Sequence, residues 1–409
     1  MKKNQFYLLF IILLLWAKAL HAREQISRNM FMVTNLNTEN GLSSSRVYSI
    51  VEAEDGAMWI STKRGVDRYN GQVVTNYTLA TEMQYSDASG RTIKLLQDCN
   101  RQLYAYDNKG KVYIYNKDQD AFILKYNLLN LLGRSTVLNE LLVDSKGNFW
   151  LALDHGLYWL QASVDEKEIS QEKAKGKYIL KNIYINHIQF VGQKLLVGTS
   201  KDVYQYSLVS LKMEKKLNGF SVVSSYHDRV AHQIWLGTFH QGVLVLDDRT
   251  WNPVSMVDFG SLLKIPQIPV RSIIPYKNDA LLMAVDGAGI YAFDRVSKQT
   301  HLILDTEGRP GSVLKGNGLY TLCCDRFCDL WVGSFSGGVD LAIPMERSLE
   351  YITHGYLNSQ SLMDNSVNDV FQSRDGKIWY ATDKGVSVYD GKNNLWHHGL
   401  YGKVALTIC

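Results

Sequence analysis

An internal repeat constrains this chain more than any other feature. Asp55-Gly56-Ala57-Met58-Trp59 returns near the far end as Asp375-Gly376-Lys377-Ile378-Trp379, each preceded by an alternating segment that starts at Val47 or Val367. A third copy carries Gly147 and Trp150. With the pattern fixed, the indole position is held by Trp59, Tyr104, Trp150, Leu196, Trp235, Leu282, Trp331 and Trp379. Successive positions lie 39 to 49 residues apart. Apolar residues alternate with period two in these segments, so the units are strands and not helices.

Such a spacing holds four short strands with their turns, the unit of a β-propeller blade. The expected fold is all-β: a seven-bladed β-propeller of four-stranded blades, followed by the first blade of a second propeller. Within a unit, strand A (Val47 to Val51) enters a turn at Gly56, where glycine permits a positive φ. Strand B (Met58 to Ser61) carries Trp59, whose ring fills the wedge between twisted blades. Gly65 leads into strand C (Val66 to Tyr69), and Asn70-Gly71 turns into strand D near Val73 to Tyr77. Trp59, Trp150, Trp235, Trp331 and Trp379, with Gly56, Gly147 and Gly376, are therefore architectural.

Composition agrees. There are 31 glycines and 24 tyrosines but only 6 prolines, a balance that favours short strands with tight turns. Lys2 and Lys3 precede an apolar run from Phe6 to Trp16, and small residues follow to Ala22. This reads as a secretory signal peptide over residues 1–22. An uncleaved anchor is the alternative, and the run is short for a span. The formal charge of +4 loses three lysines with that leader. A near-neutral chain has no electrostatic footprint for nucleic acid.

Five cysteines, Cys99, Cys323, Cys324, Cys328 and Cys409, make no disulfide framework. Cys324 and Cys328 flank a turn and either bridge or pack as free thiols, the latter being the simpler reading. Neither metal nor cofactor is expected. The histidines, including His155, His187, His227 and His240, have no metal spacing and read as surface or turn residues.

The residues Asn40-Gly41-Leu42-Ser43-Ser44-Ser45-Arg46-Val47, followed by Asp55-Gly56, Trp59-Ile60, Thr62, Gly65-Val66 and Tyr69, resemble the two-component regulator propeller repeat. The resemblance runs from about Phe31 to the end. It is strong around Trp59, Trp150, Trp331 and Trp379, and weak around Tyr104, Leu196 and Leu282. In the unit of Trp331, Cys328 stands where the family has glycine.

The resemblance implies the periplasmic sensor region of a bacterial hybrid two-component system. Family members join two propellers to a membrane helix, a histidine kinase, a receiver and a DNA-binding domain. They sense glycan-derived oligosaccharides and control transcription of carbohydrate-utilisation genes. The chain is expected to bind and not to catalyse, with an oligosaccharide as ligand and a homodimer in the full-length protein. The full-length protein would sit in the inner membrane, through parts beyond this chain.

The segment Leu349 to Thr353 with Asn365-Ser366-Val367 parallels Met30 to Thr34 with Ser45-Arg46-Val47. This places a first propeller at residues 31–345 and the start of a second at 349–409. Phe31 to Leu36 would then be the outer strand of the last blade, around Trp331. One eight-bladed ring is the competing arrangement.

Turns between strands B and C share one rim and leave their residues free for recognition. On that rim the candidate ligand contacts are Arg64, Asp154, His155, Lys201, Phe239, His240, Gln241, Asp286 and Phe335. Hydroxyl-rich ligands need convergent donors and acceptors beside aromatic faces, and this set offers both. A propeller scaffold or a propeller glycosidase or lyase are the competing classes. Arg46, Arg64, Arg91 and Arg271 lie near suitable loops, but no carboxylate pair of the glycosidase kind stands out.

Overall fold

The computed structural model describes residues 31–79, 90–161, 175–254, 264–277, 280–307, 313–344, 352–355, 360–391, 393 and 395–408. Residues 1–22, read above as a secretory leader, and Cys409 lie outside them. The chain divides into two compact units, Met1–Gly308 with Ser312–Pro344, and Arg309–Gly311 with Met345–Cys409.

Seven antiparallel sheets make up the described part of the first unit. The first runs up and down through Val47–Glu52, Met58–Thr62, Val66–Tyr69 and Val74–Tyr77. Five more repeat this order from Ile93–Gln97, Leu138–Val143, Ile185–Val191, Val222–Asp228 and Val270–Tyr276. In the fifth sheet three strands are described, and a bridge from Leu246 to Pro253 continues it.

The seventh sheet, which opens at Leu319–Cys324, takes its outer strand from the other end of the unit. Phe31–Leu36 pairs antiparallel with Val339–Pro344, Phe31 opposite Pro344 and Leu36 opposite Val339. This is the pairing expected from the sequence, and Phe31 is 1% exposed.

The inner strands pack side by side. Val47–Glu52 contacts both Ile93–Gln97 and Leu319–Cys324, and Leu138–Val143, Ile185–Val191, Val222–Asp228, Val270–Tyr276 and Leu319–Cys324 contact one another in succession. Between the second and third sheets, Lys94 Nζ donates to Asn139 O at 2.9 Å. Sheets arranged blade against blade in this way are a β-propeller.

Each second strand is buried on both faces, as a layer between two neighbours requires; Met58–Thr62, Phe149–Leu153 and Leu330–Ser334 are buried throughout. The indole rings reach across to the next sheet, onto an aromatic residue of its third strand. Trp59 meets Tyr115 at 4.7 Å, Trp150 meets Tyr206 at 6.3 Å, Trp235 meets Phe293 at 4.8 Å and Trp331 meets Tyr69 at 5.9 Å. These are edge and tilted geometries, the arrangements that ring quadrupoles favour.

In the second unit the sheet Val367–Gln372, Ile378–Thr382, Gly385–Asp390 and Leu395–Gly399 is the one described. Its Trp379 is only half-buried, and Val370 and Phe371 are exposed.

The turn before each indole has its own chemistry. Gly56, Gly147 and Gly376 hold φ of 84°, 81° and 88°. Arg101, His232 and Cys328 occupy the same place at 61°, 54° and 65°, so the substituted turn keeps its left-handed shape at a modest steric cost. Three residues earlier a carboxylate ties the turn together: Asp144 Oδ1 accepts from the N–H groups of Lys146 and Asn148, each at 2.9 Å. Its Oδ2 accepts from Trp150 Nε1 at 3.2 Å. Asp325 does the same for Trp331, at 2.9 Å. Cys324 and Cys328 are free thiols, half-buried against the core of the last two sheets.

Deleting Phe31–Leu36 removes a buried ring and one edge of the seventh sheet. The loss resembles a Phe-to-Ala cavity plus a strand ladder, so the thermal midpoint should fall by about 10 °C or more. Calorimetry or circular dichroism reads it directly. An unchanged midpoint would show that the seventh sheet does not depend on this strand.

Candidate functional site

The rim that carries the turns between second and third strands is fixed by one recurring backbone bond. The first N–H of most such turns donates to a carbonyl at the start of the same sheet's inner strand. Examples are Lys63 to Arg46 O at 3.1 Å, Asp154 to Val137 O at 3.0 Å, Phe239 to Ser221 O at 2.8 Å, Asp286 to Pro269 O at 2.9 Å and Phe335 to Gly318 O at 2.7 Å. Two chain segments therefore meet in a set geometry in each of these sheets.

A bulge near the start of most inner strands adds a second set of side chains. The register slips between Val47 and Ser49, Val270 and Ser272, and Leu319 and Thr321. Bulges re-aim the extra residue, here Tyr48, Arg271 and Tyr320. Tyr48 lies 5.8 Å from Tyr320, and Tyr320 lies 5.9 Å from Phe335. The Arg271 guanidinium sits between two rings, 5.2 Å from Phe239 and 5.7 Å from Tyr320. His240 abuts Phe239 at 4.7 Å, and the Arg46 guanidinium covers the Phe335 ring at 3.8 Å. Asp286 Oδ2 accepts from Arg271 Nε at 3.1 Å.

The result is one ladder of rings and guanidinium planes across the fifth, sixth, seventh and first sheets. Phe239 and Phe335 remain 36% and 41% exposed, enough to present a ring to a ligand. Burial raises the Tyr320 hydroxyl above the usual range, so it stays a protonated donor.

Of the residues expected on this rim, Phe239, His240, Asp286 and Phe335 come together. Asp154 and His155 do not join them. They form a local chain on the third sheet: His155 Nδ1 meets Asp154 Oδ1 at 2.5 Å and His155 Nε2 meets the Tyr178 hydroxyl at 2.6 Å. Burial works to raise the Asp154 carboxyl, but bonds from His155 and Thr136 hold it below its ordinary value. Gln241 Nε2 donates to Gly219 O at 2.9 Å and acts as a loop strut. Lys201 and Arg64 are exposed, Arg64 beside the corner of Arg46.

Tyr48, Arg271 and Tyr320 were not among the expected contacts. The only signal in the sequence is their place one residue after each strand's first buried residue. His187 also departs from a surface role. It is 9% exposed and bridges Glu140 to Ser225 across three sheets, at 2.6 Å on each side.

A second concavity, about 320 Å³, lies between the first two sheets near the Gly56 turn, among Trp59, Arg68, Gln102 and Tyr115. Its groups already satisfy each other. Trp59 is 3% exposed under Tyr77, Tyr115 and Phe122, and Arg68 pairs with Asp55. It is a seam between blades. Among the described residues no cluster of metal-binding side chains occurs, and no helix is long and apolar enough to cross a membrane.

The described sheets of the first unit thus define a β-propeller, and comparison with known proteins finds the same repeat and fold elsewhere. Residues 41–64 match the model of the two component regulator propeller, the repeat seen in the sequence. Over 91% of its length the chain has the fold of the extracellular domain of the hybrid two component system BT3049 from B. thetaiotaomicron, at TM-score 0.65 and 19% identity. A second neighbour is the extracellular domain of BT4673 from the same organism, at TM-score 0.59 and 17% identity over 91% of the chain. The chain spans about half the length of these domains, 49% and 54%. No match is found among the curated proteins.

One buried acid controls the loop under the ladder. Asp340 Oδ2 accepts from Lys315 N at 2.9 Å, and its Oδ1 accepts from Asn35 Nδ2 at 2.8 Å. The loop that begins at Lys315 supplies Gly318 O to Phe335 N. Burial pushes the Asp340 carboxyl up to about 6, only partly offset by those bonds. In the unfolded chain the value returns to 3.8, so between these values the folded state holds the extra proton. Stability from this group is therefore greatest below about pH 4 and falls as pH rises to about 6, by roughly 3 kcal/mol at most. Other carboxylates titrate too, so the readout is the difference between wild type and Asp340→Asn in denaturant melts from pH 4 to 6. That difference should change across the window. A constant difference would place the Asp340 titration elsewhere.

Proposed function

We propose that this chain is the extracytoplasmic ligand-sensing region of a hybrid two-component sensor histidine kinase. Its ligand is a glycan-derived oligosaccharide, and its output is transcription of carbohydrate-utilisation genes. Recognition belongs to the propeller, and phosphoryl transfer belongs to other parts of such a system. The leader read from the sequence directs the chain to the periplasm, and the complete sensor works as a homodimer anchored in the inner membrane. Seven sheets closed by the Phe31–Leu36 strand are taken as the full first propeller, with residues 349–409 opening a second.

The observation that carries this reading is the ladder. Sugar rings have apolar faces and hydroxyl edges, and they are held by exposed aromatic rings flanked by fixed donors and acceptors. Phe239 and Phe335 supply the rings; Arg271, Asp286 and Tyr320 supply donors and acceptors whose positions are set by one another.

A sensor can shift its output only by the difference in ligand affinity between two states. Isothermal calorimetry against a panel of glycan oligosaccharides should give binding without turnover. Replacing Phe239 and Phe335 with alanine should weaken that binding about tenfold or more, the effect of losing a stacking ring. Unchanged affinity would exclude this rim, and new reducing ends or unsaturated products would make the protein an enzyme.

A further inference from the structure

The charge on the ladder is uneven. Several guanidinium groups elsewhere in the unit are paired: Arg68 with Asp55, Arg91 with Asp107, Arg295 with Asp228 and Arg326 with Glu52. On the ladder, Asp286 takes Arg271. Arg46 has its guanidinium over Phe335 at 3.8 Å and no carboxylate partner among the described residues. Lys63 donates its backbone N–H to Arg46 O at 3.1 Å, so the turn of Lys63 and Arg64 adjoins the Arg46 backbone. Neither of these side chains has an acidic partner among the described residues either.

One guanidinium without a carboxylate partner thus stacks on an exposed aromatic ring, and two further basic residues, Lys63 and Arg64, lie in the turn bonded to its backbone. A stacked guanidinium gives its face to the ring and keeps its N–H edge for a planar anion in bidentate geometry. The ring beside it accepts an apolar face. Both demands are met by a single kind of unit, a pyranose that carries an acid.

We infer that this corner takes the carboxylate or sulfate of an acidic sugar unit, an inference that rests on the sensing function proposed above. Arg46 holds the anion, Lys63 and Arg64 add attraction, and Phe335 takes the ring face. Arg271, already paired, fixes the neighbouring ring of Tyr320 and does not select for charge.

Calorimetry on the whole chain tests this with oligogalacturonides, chondroitin oligosaccharides and alginate oligomers. Neutral oligosaccharides, the methyl-esterified oligogalacturonide and poly-glutamate serve as comparisons. Members of the acidic series should bind, and esterification should weaken binding about tenfold or more. Raising salt from about 50 mM to about 500 mM should weaken it several-fold, because the corner is exposed to screening.

Arg46→Gln should reproduce the loss caused by esterification, and Arg46→Lys should recover only part of it. A thermal melt checks that each variant folds; if Arg46→Gln does not, Arg64→Gln and the salt series read the same charge. Equal affinity for the acid and its ester, or a preference for neutral sugars, would overturn the inference and leave the sensing function standing. Poly-glutamate binding as tightly as the best sugar would overturn it in favour of an acidic protein partner. No binding by any sugar would sink the sensing function with it.

Discussion

An indole ring on the second strand of one sheet is buried only if the next sheet brings an aromatic third strand against it. In the first unit this holds from Trp59 on Tyr115 round to Trp331 on Tyr69. The last of these contacts joins the seventh sheet to the first. That junction needs the seventh sheet to be whole, and its outer strand comes from Phe31–Leu36. The four indoles at the repeat position in this unit, Trp59, Trp150, Trp235 and Trp331, are between 1% and 5% exposed, whereas Trp379, in a unit with one described sheet, is half-buried. Burial of the rings is therefore a property of neighbouring sheets and not of the repeat alone.

The rim inherits its geometry from that packing. Phe239, Arg271, Tyr320, Phe335 and Arg46 belong to four consecutive sheets: Phe239 and Phe335 stand in turns bonded to the start of their own inner strands, Arg271 and Tyr320 at inner-strand bulges, and Arg46 at the start of an inner strand. A surface composed in this way exists only when the sheets are in place beside each other. It also has little freedom of its own, since moving one ring requires moving a sheet whose second strand is buried on both faces.

The repeat, its strand order, the indole positions and the closing strand were all legible in the sequence, because each rests on period-two alternation or on a glycine at a tight turn. Two kinds of feature were not. Tyr48, Arg271 and Tyr320 owe their place to bulges, and a bulge is visible only when two strands are seen in register. Nor does the repeat pattern reveal that Asp144 and Asp325 each tie backbone N–H groups and an indole N–H together in the turn. His187 was misread for a related reason. Its partners Glu140 and Ser225 are dozens of residues away in sequence and come near only through adjacent inner strands.

Rigidity within the ring bears on how binding could be reported. If the ladder binds as proposed, contacts spread over four sheets would leave no loop in the site that closes independently, because the turns beside the ladder are tied by backbone bonds at their base. The two states that a sensor must distinguish are then states of whole units or subunits, each carrying its rim intact. The relevant quantity is the difference in affinity that the ladder shows for one arrangement over the other. An acidic ligand held by Arg46 would strengthen that discrimination wherever one arrangement lets the anion reach the guanidinium and the other does not.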